Sequence, residues 1–363
     1  MSACASRVDN FFPGPGALPL AVLQRIRSEL LDYRGLGMSV LELSHRSDAA
    51  LQLIADTLAQ LRRLLDLDER FELVLLQGGA SLQFAMVPLN LSPPGGKVDY
   101  LDTGYWTARA IAEARRLGRD VLVAGSSAPY HHRLPADLQV RPDACYLHLC
   151  SNNTVEGTQW QHLPQVPVPL VVDVSSDILS RQLDYRGVAC LYAHAQKTLG
   201  PAGVTVVALR RELVNRVPEN LPTMLDYRPH IAHDSNYNTP PIFAIYVVRC
   251  VLDWLEQQIG GLAAMEALNR RKAALLYGVI EESSLFHCPV ERDARSLMNV
   301  VFTLPRAQLQ TRFLAAAAEQ GLVGLAGHRS VGGLRASLYN PVSLDAVERL
   351  AAFMRRFERR RAC

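Results

Sequence analysis

The spacing of apolar residues along the chain alternates between two patterns. Segments in which apolar side chains recur every three or four residues predict amphipathic helices, as in 47–65, where Leu51 and Leu58 share one face. Between them lie short, nearly continuous apolar runs bounded by polar loops, and these predict strands. The predicted helices are 19–33, 47–65, 81–89, 106–117, 240–258, 262–281, 307–320 and 344–361. The predicted strands are 71–76, 98–101, 121–124, 145–149, 169–174, 188–193, 204–209, 298–304 and 334–338.

These strands and helices alternate, which predicts an α/β fold. Strands that are apolar throughout are typical of a mostly parallel sheet with helices on both faces. After about residue 258 the pattern changes to fewer strands between longer helices, which indicates a smaller α+β domain. Because 363 residues exceed one ordinary hydrophobic core, we predict a large domain at 19–258 and a small C-terminal domain at 259–363.

Composition and charge disfavour several classes of protein. With 49% hydrophobic and 20% charged residues the chain is globular, and a net charge of +3 does not indicate a nucleic-acid surface. No apolar run is long enough to span a membrane, and no signal peptide is visible, so a cytoplasmic protein is expected. The seven cysteines form no CxxC pair and no metal-ligand spacing, which predicts reduced thiols and no metal.

Lysine is rare in this chain, which has three lysines beside 35 arginines. A guanidinium stays protonated, whereas a lysine that loses its proton forms an imine with an aldehyde. Lys97 follows a Pro/Gly turn, and Lys272 is predicted on the polar side of a helix. Lys197 follows an apolar run and precedes a Gly/Pro turn, so we expect a buried strand terminus, where burial lowers the pKa. A lysine extending from a strand end to solvent fits the local sequence equally well.

Polar side chains follow four of the predicted strands. Ligands in open α/β sheets bind outside the carboxyl ends of the strands, so these groups would form one pocket if the four ends share an edge. The turn before the helix at 81–89 would present N–H groups to a phosphate, although an ordinary strand-to-helix turn has the same sequence character. The four polar segments are 77–81, 151–154, 173–176 and 194–197.

Arginines and histidines supply candidate anion ligands near both ends of the chain. His45 and Arg46 are adjacent, and His328 and Arg329 lie in a Gly-rich stretch that ends at Arg335. A surface ion pair explains any single one of these arginines equally well, but together they indicate carboxylate or phosphate binding. The sequence contains neither GxGxxG nor a P-loop, which disfavours dinucleotides and nucleoside triphosphates.

The side chains described above match the ligands that pyridoxal phosphate requires. Its aldehyde requires an amine, its pyridine nitrogen requires a carboxylate, and its phosphate requires N–H and hydroxyl donors. Lys197 offers the amine and Asp173, directly after an apolar strand, offers the carboxylate.

At this point the sequence resembles the phosphoserine aminotransferases, which are fold-type-I, pyridoxal-phosphate-dependent enzymes of class V. The resemblance runs from about residue 10 to residue 358 and implies a large domain with a mostly parallel seven-stranded sheet. It also implies that residues 1–18 form a segment that closes on the small domain. The motifs that carry it are 35–46, 77–84, 102–106, 151–158, 173–180, 193–203, 237–241 and 327–337.

The resemblance implies a role for each matching residue. Lys197 would bind the cofactor aldehyde and act as the catalytic base, and Asp173 would pair with the ring nitrogen. Trp106 would stack on the ring, and Thr154 would bond the ring hydroxyl. The implied phosphate ligands are Ala80, Ser81 and Gln196, with Asn238 and Thr239 supplied by the partner subunit of a homodimer. The implied substrate ligands are Arg335 for the α-carboxylate, and His45 and Arg46 of the partner together with His328 and Arg329 for the distal anion.

The implied reaction is transamination of 3-phosphooxypyruvate with L-glutamate, which gives O-phospho-L-serine and 2-oxoglutarate in serine biosynthesis. Phosphohydroxythreonine, in vitamin B6 synthesis, would fit the same site, and another fold-type-I aminotransferase of a small anionic amino acid is an alternative. An inactive binding scaffold is disfavoured because Lys197 and Asp173 are both present. Two residues depart from the family pattern: Phe12 precedes the Pro-Gly-Pro turn, and Thr198 follows the lysine.

Overall fold

The computed structural model describes residues 7–360. Its strands are β1 Asp9–Asn10, β2 Phe71–Leu76, β3 Lys97–Asp102, β4 Asp120–Ser126, β5 Leu147–Cys150, β6 Asn152–Asn153, β7 Thr158–Gln159, β8 Leu170–Asp173, β9 Val188–His194, β10 Thr205–Arg210, β11 Asn299–Phe302, β12 Leu322–Val323 and β13 Leu334–Ser337. Its α-helices are α1 Leu20–Glu29, α2 Asp48–Leu64, α3 Gly79–Leu91, α4 Tyr105–Arg116, α5 Arg211–Val214, α6 Tyr227–Ala232, α7 Ile242–Trp254, α8 Leu262–Glu281, α9 Ala307–Glu319 and α10 Leu344–Arg359. Short 3₁₀ turns occur at Tyr33–Gly35, Val40–Glu42, Thr223–Leu225 and Arg292–Ala294, and a π turn occurs at Leu255–Ile259.

Seven strands form one large sheet in the order β2-β10-β9-β8-β5-β3-β4. β10 runs antiparallel to both of its neighbours, and the other paired strands run parallel. Because β2 and β9 are each antiparallel to β10, they point in the same direction. The carboxyl ends of β2, β5, β8 and β9 therefore lie at one edge, as the expected mostly parallel sheet requires.

Both faces of this sheet are covered by helices, which explains the continuous apolar runs. Leu73 and Leu75 of β2 belong to a core that also contains apolar side chains of α2 and α7. Val74 and Leu76, on the opposite face, belong to a second core with residues of α3 and α4. Each fully buried leucine or valine stabilises the folded state by about 1.5–3 kcal/mol relative to an exposed one. The apolar side chains on the two faces of the sheet therefore hold it between two layers of helices.

The C-terminal part of the chain has a core of its own. β11 and β13 pair antiparallel, and their apolar side chains pack with those of α8, α9 and α10. β1 pairs in parallel with β12, and Phe11 is fully buried in this C-terminal core. Residues 9–11 thus pack on the C-terminal part. The three predicted units, with boundaries at residues 18 and 258, stay a prediction.

Several predicted element ends differ from the structure. The helix predicted over 19–33 ends at Glu29, and Arg34 and Gly35 beyond it have positive φ angles of 53° and 79°, which an α-helix does not accommodate. The helix predicted over 240–258 begins only at Ile242, after two prolines, and passes into the π turn at Leu255–Ile259. Arg361, in the last predicted helix, lies outside the described residues.

Lys272 was expected on the polar side of a helix, and this expectation was wrong. Its side chain is fully buried, and its ammonium group donates hydrogen bonds of 2.9–3.0 Å to the backbone carbonyls of Leu338, Tyr339 and Val342. Burial lowers the pKa of Lys272 to about 7. Local periodicity did not reveal this position, because the three acceptors come from a distant part of the chain.

Five described cysteines are free thiols, and Cys4 and Cys363 lie outside the described residues. In the range 7–360, no helix has both the length and the apolar character needed to cross a membrane. The same range contains no cluster of three or more His, Cys, Asp or Glu side chains suited to hold a metal ion.

Candidate active site

A cavity opens at the carboxyl edge of the large sheet. Asp173 is the last residue of β8 and pairs in register with Cys150 of β5 and Tyr192 of β9. Because these three strands are parallel, the residues that follow them emerge at the same edge. The cavity is lined by Ala80, Ser81, Trp106, Cys150, Asp173, Ser175, Ser176, His194, Gln196 and Lys197.

Lys197 and Asp173 supply the amine and the carboxylate of this cavity. Lys197 lies in the turn after β9 and is half-buried. Burial lowers the pKa of its amine, and the charge of Asp173 acts in the opposite direction. Asp173 is buried and accepts a hydrogen bond of 2.9 Å from the backbone N–H of Ser175; burial raises its pKa, while Lys197 lowers it. The lysine is therefore closer to its neutral, nucleophilic form than an exposed lysine is.

Trp106 forms the aromatic wall of the cavity. It lies in the first turn of α4, and its indole N–H donates a hydrogen bond of 3.0 Å to the Thr154 hydroxyl. The Lys197 Nζ atom lies 5.5 Å from the centroid of the indole ring. The fixed ring faces the amine, so a planar aromatic ligand bound at Lys197 would stack on it.

The start of α3 forms an anion-binding turn beside the lysine. Gly78 and Gly79 have φ angles of +88° and +68°, which place the backbone in the left-handed region before the helix begins. A Cβ atom on Gly79 would lie 3.0 Å from the His194 ring, so glycine also permits the close approach of the two chain segments. Ala80 and Ser81 follow in the first helical turn, where free N–H groups and the helix dipole favour a phosphate.

Residues of the C-terminal part approach the cavity from the side of Trp106. Arg335 on β13 is buried and donates a hydrogen bond of 2.6 Å from Nη1 to the Thr154 carbonyl, while its Nε has no hydrogen-bond partner among the described residues. The His328 ring packs against Tyr105 with a centroid distance of 4.7 Å. Arg329 is exposed. Burial and the two arginines lower the pKa of His328, so the positive charge on this side comes from Arg335 and Arg329, which are able to bind a carboxylate or a phosphate.

The chemistry of the cavity fits pyridoxal phosphate. Within residues 7–360 Asp173 makes no close ion pair, although the charge of Lys197 lowers its pKa, and a protonated pyridine nitrogen would give this buried carboxylate a direct cationic partner. The amine, the facing indole and the anion-binding turn match the aldehyde, the ring and the phosphate of the cofactor.

Comparison with known proteins identifies the family. The model of the class-V aminotransferase family matches residues 9–350. The chain is 52% identical to the phosphoserine aminotransferase of Geobacillus kaustophilus over 357 residues, which covers 98% of this chain and 99% of that protein. It is 47% identical to the phosphoserine aminotransferase of Ectopseudomonas mendocina over 361 residues, which covers 99% and 100% of the two chains.

The chain belongs to the phosphoserine aminotransferase family.

Solved structures of phosphoserine aminotransferases agree with this assignment. The structure from Bacillus circulans subsp. alkalophilus superimposes with a TM-score of 0.95 at 45% identity and covers 98% of this chain and 99% of its own. The pyridoxal-phosphate-bound structure from Trichomonas vaginalis gives a TM-score of 0.92 at 38% identity and covers 96% and 100%. The predicted fold type, the aminotransferase class and the cofactor pyridoxal phosphate are thereby confirmed.

Most residues predicted for this aminotransferase site lie together in the structure. Six of them line the Lys197 cavity: Ala80, Ser81, Trp106, Asp173, Gln196 and Lys197. Beside the cavity, Arg335 donates a hydrogen bond to the Thr154 carbonyl, and His328 contacts the helix that carries Trp106. Their roles toward cofactor and substrate remain predictions.

Eight of the fourteen predicted residues do not line this cavity, and four of these eight are the residues that the resemblance assigns to the partner's site. His45 and Arg46 precede α2, and the His45 carbonyl accepts a hydrogen bond of 3.0 Å from the Asn236 side chain. This contact brings them close to Asn238 and Thr239, which belong to the same segment as Asn236. The four residues that the resemblance places in the partner's site thus lie in two segments that contact each other, and none of them lines the Lys197 cavity of its own chain. The Thr239 carbonyl also accepts a hydrogen bond of 3.0 Å from the Gln77 side chain, which precedes the turn at Gly78 and Gly79.

The two departures from the family pattern lie beside the site. Thr198 is buried directly after the lysine, and its hydroxyl has no hydrogen-bond partner in the described range. Phe12 is 49% exposed and leads into the Pro-Gly-Pro turn, where Gly14 and Gly16 approach Gln196 and Lys197. Neither Phe12 nor Thr198 replaces one of the residues that line the cavity.

Sequence reasoning expected the segments 173–176 and 194–197 at the pocket but assigned no individual role to Ser175, Ser176 or His194. Ser175, Ser176 and His194 line the cavity, and their position directly after β8 or at the end of β9 was the available signal. Glu156 contacts the start of α4 through a hydrogen bond to the Tyr105 N–H. Glu156 lies within the motif 151–158, but the local sequence does not indicate its contact with α4, because this contact depends on the fold.

Proposed function

We propose that this chain transfers the amino group of L-glutamate to 3-phosphooxypyruvate, giving 2-oxoglutarate and O-phospho-L-serine in serine biosynthesis. The supporting observation is that Lys197, Asp173 and Trp106 meet in one cavity, beside the Arg335 guanidinium and the His328 ring. Family membership supports the same substrates, since the relatives named above are phosphoserine aminotransferases.

Lys197 is the proposed catalytic base. When bound, pyridoxal phosphate supplies an aldehyde that takes up the amino group and a conjugated ring that accepts the electron pair released at the substrate Cα. The Lys197 amine, whose pKa burial lowers, takes the proton from the substrate Cα and later returns one to the Cα of the product. Asp173 holds the proton on the ring nitrogen, because a buried carboxylate beside a protonated nitrogen favours the charged form of both groups.

The other ligands bind anions at fixed positions. Ala80, Ser81 and Gln196 hold the cofactor phosphate at the start of α3, and Thr154 bonds the ring hydroxyl. Arg335 binds the α-carboxylate that both substrates share. His328 and Arg329 bind the distal group, which is a phosphate in one half-reaction and a carboxylate in the other; both are clusters of anionic oxygens that arginine recognises.

The proposed assembly is a homodimer in the cytoplasm with active sites shared between subunits. His45 and Arg46 would bind the distal anion, and Asn238 and Thr239 the cofactor phosphate, in the site of the other subunit. Large apolar side chains near these residues are exposed in the single chain, as expected for a surface covered by a partner. They are Leu36 at 48%, Met38 at 43%, Leu41 at 61% and Tyr237 at 42% exposure.

Glutamate-dependent formation of phosphoserine from 3-phosphooxypyruvate tests this function. The wild-type holoenzyme should catalyse it, and Lys197→Ala should lose the yellow colour of the lysine-bound cofactor and at least about a thousandfold in turnover, because the proton-transferring amine is absent. Phosphohydroxythreonine serves as a second substrate, and its specificity constant is compared with that of phosphoserine.

Lys97→Ala is the matched control. Lys97 is an exposed lysine paired with Asp143, so its loss should leave colour and turnover unchanged. Wild-type activity in Lys197→Ala would contradict the proposed mechanism, and a wild-type enzyme that forms no phosphoserine would contradict the proposed substrate.

A further inference from the structure

The buried turn between β6 and β7 contacts three groups of the proposed site. The Thr154 hydroxyl accepts the Trp106 indole N–H at 3.0 Å, and the Thr154 carbonyl accepts Arg335 Nη1 at 2.6 Å. Two residues later, Glu156 Oε1 accepts the backbone N–H of Tyr105 at 2.8 Å. One short segment therefore links the ring-stacking residue, the substrate anchor and the start of α4.

The Glu156 carboxyl is packed against the N-terminus of α4. A Cβ atom on Gly104, the residue before this helix, would lie 2.3 Å from the Glu156 carboxyl carbon, so only glycine leaves room for the carboxyl. The side chain is 7% exposed, and its second oxygen, Oε2, has no hydrogen-bond partner in the described part of the chain. An acidic group at a helix N-terminus is favourable, but a buried oxygen without a partner is costly when charged.

Charged groups from several elements surround Glu156. Arg335 on β13 attracts its negative charge, and Asp102 at the end of β3 repels it. His131 and His132 line the cavity that Glu156 and Arg335 also line. Burial raises the pKa of Glu156 to about 7, against the opposing effects of the Tyr105 N–H and Arg335. Its protonation can therefore change within the neutral pH range.

We propose that Glu156 is a positioning residue whose carboxyl fixes the start of α4 and whose proton sets how strongly Arg335 attracts the substrate α-carboxylate. An ionised Glu156 offsets the charge of Arg335 and repels an incoming carboxylate, whereas a protonated Glu156 does neither. Binding of a carboxylate at Arg335 therefore favours proton uptake by Glu156. This inference rests on the proposed function, because it takes Arg335 as the α-carboxylate ligand.

Glu156→Gln separates the two parts of this role. Glutamine keeps a carbonyl acceptor for the Tyr105 N–H but does not titrate. The experiment is calorimetric titration of the holoenzyme with glutarate, an unreactive dicarboxylate, in two buffers of different protonation enthalpy. Between pH 6 and pH 8.5 the wild-type affinity should fall roughly three- to tenfold more than that of Glu156→Gln, and the wild type should take up more protons at pH 7.5.

Glu113→Gln is the charge-matched control. Glu113 lies near the C-terminal end of α4, the helix whose start Glu156 contacts, and it is paired with Arg116. This variant should therefore match the wild type in affinity and proton uptake. The Michaelis constant for glutamate should follow the same pH pattern as glutarate affinity, with a smaller change in kcat, because the effect acts on binding.

A second measurement uses the wild type alone and does not depend on how Glu156→Gln folds. Infrared difference spectra with and without glutarate at pH 7.5 should gain the carbonyl band of a protonated carboxylic acid. Absence of this band, or equal pH responses of wild type and Glu156→Gln, overturns the role of Glu156 while phosphoserine formation stands. A wild type that forms no phosphoserine overturns the proposed function and this inference with it.

Discussion

At the residue scale, the two lysines that burial affects have opposite surroundings. Lys197 faces an indole and a carboxylate in a cavity, whereas Lys272 gives its three N–H groups to the carbonyls of Leu338, Tyr339 and Val342. These carbonyls follow β13, the strand that carries Arg335. Lys272 therefore holds the end of the strand on which the proposed substrate anchor lies.

Lys272→Ala should lower the free energy of unfolding by about 3 kcal/mol, because it leaves a cavity and unsatisfied buried carbonyls. Thermal unfolding of the holoenzyme measures this change. The neighbouring Arg271 is exposed, and Arg271→Ala should change stability by less than about 0.5 kcal/mol. Equal stability of the two variants would show that the carbonyl contacts of Lys272 contribute nothing.

At the element scale, the start of α3 decides how closely the phosphate-binding turn approaches the strand end at His194. Gly79→Ala places a methyl group 3.0 Å from the His194 ring on a backbone with φ of +68°. We expect this variant to bind pyridoxal phosphate at least about tenfold more weakly, because the turn must move away from its proposed phosphate position.

The control for this element is Gly95→Ala. Gly95 has a φ angle of +69°, nearly the same backbone strain, but a Cβ atom there would meet no atom within 4 Å. Cofactor affinity, measured by absorbance titration of the apoenzyme, should be unchanged in this variant. If both variants lose affinity equally, backbone strain rather than contact with His194 is the cause.

At the scale of the whole molecule, His45 and Arg46 do not line the Lys197 cavity of their own chain, and we predict that they act in the active site of the partner subunit. Lys197→Ala and Arg46→Ala homodimers should both have low activity. A heterodimer of the two, purified with two different tags, contains one intact site if Arg46 acts in the partner's site. It should show about half of the wild-type activity.

The matched heterodimer combines Lys197→Ala with Arg335→Ala. Arg335 donates a hydrogen bond to Thr154 of its own chain, beside Trp106, so it acts in the same site as Lys197 of that chain. In this heterodimer one site therefore lacks Lys197 and the other lacks Arg335. This heterodimer should stay inactive. Recovery in both heterodimers, or in neither, would contradict the proposed sharing.

The sequence by itself determined the order of helices and strands and the chemistry at the strand ends. A continuous apolar run such as β2 identifies a strand buried on both faces, and the polar residues behind β8 and β9 mark the cavity edge. These features are local, because each depends on residues within a few positions of one another.

Only the tertiary structure decided which distant groups meet. Arg335 and Thr154 are 181 positions apart, and the acceptors of Lys272 lie 66 to 70 positions away from it. The role inferred for Glu156 likewise depends on Gly104 and Tyr105, which belong to another element. The periodicity of apolar residues shows which face of an element is buried but not which residues cover it. The covering residues determine the contacts of a side chain and the shift of its pKa.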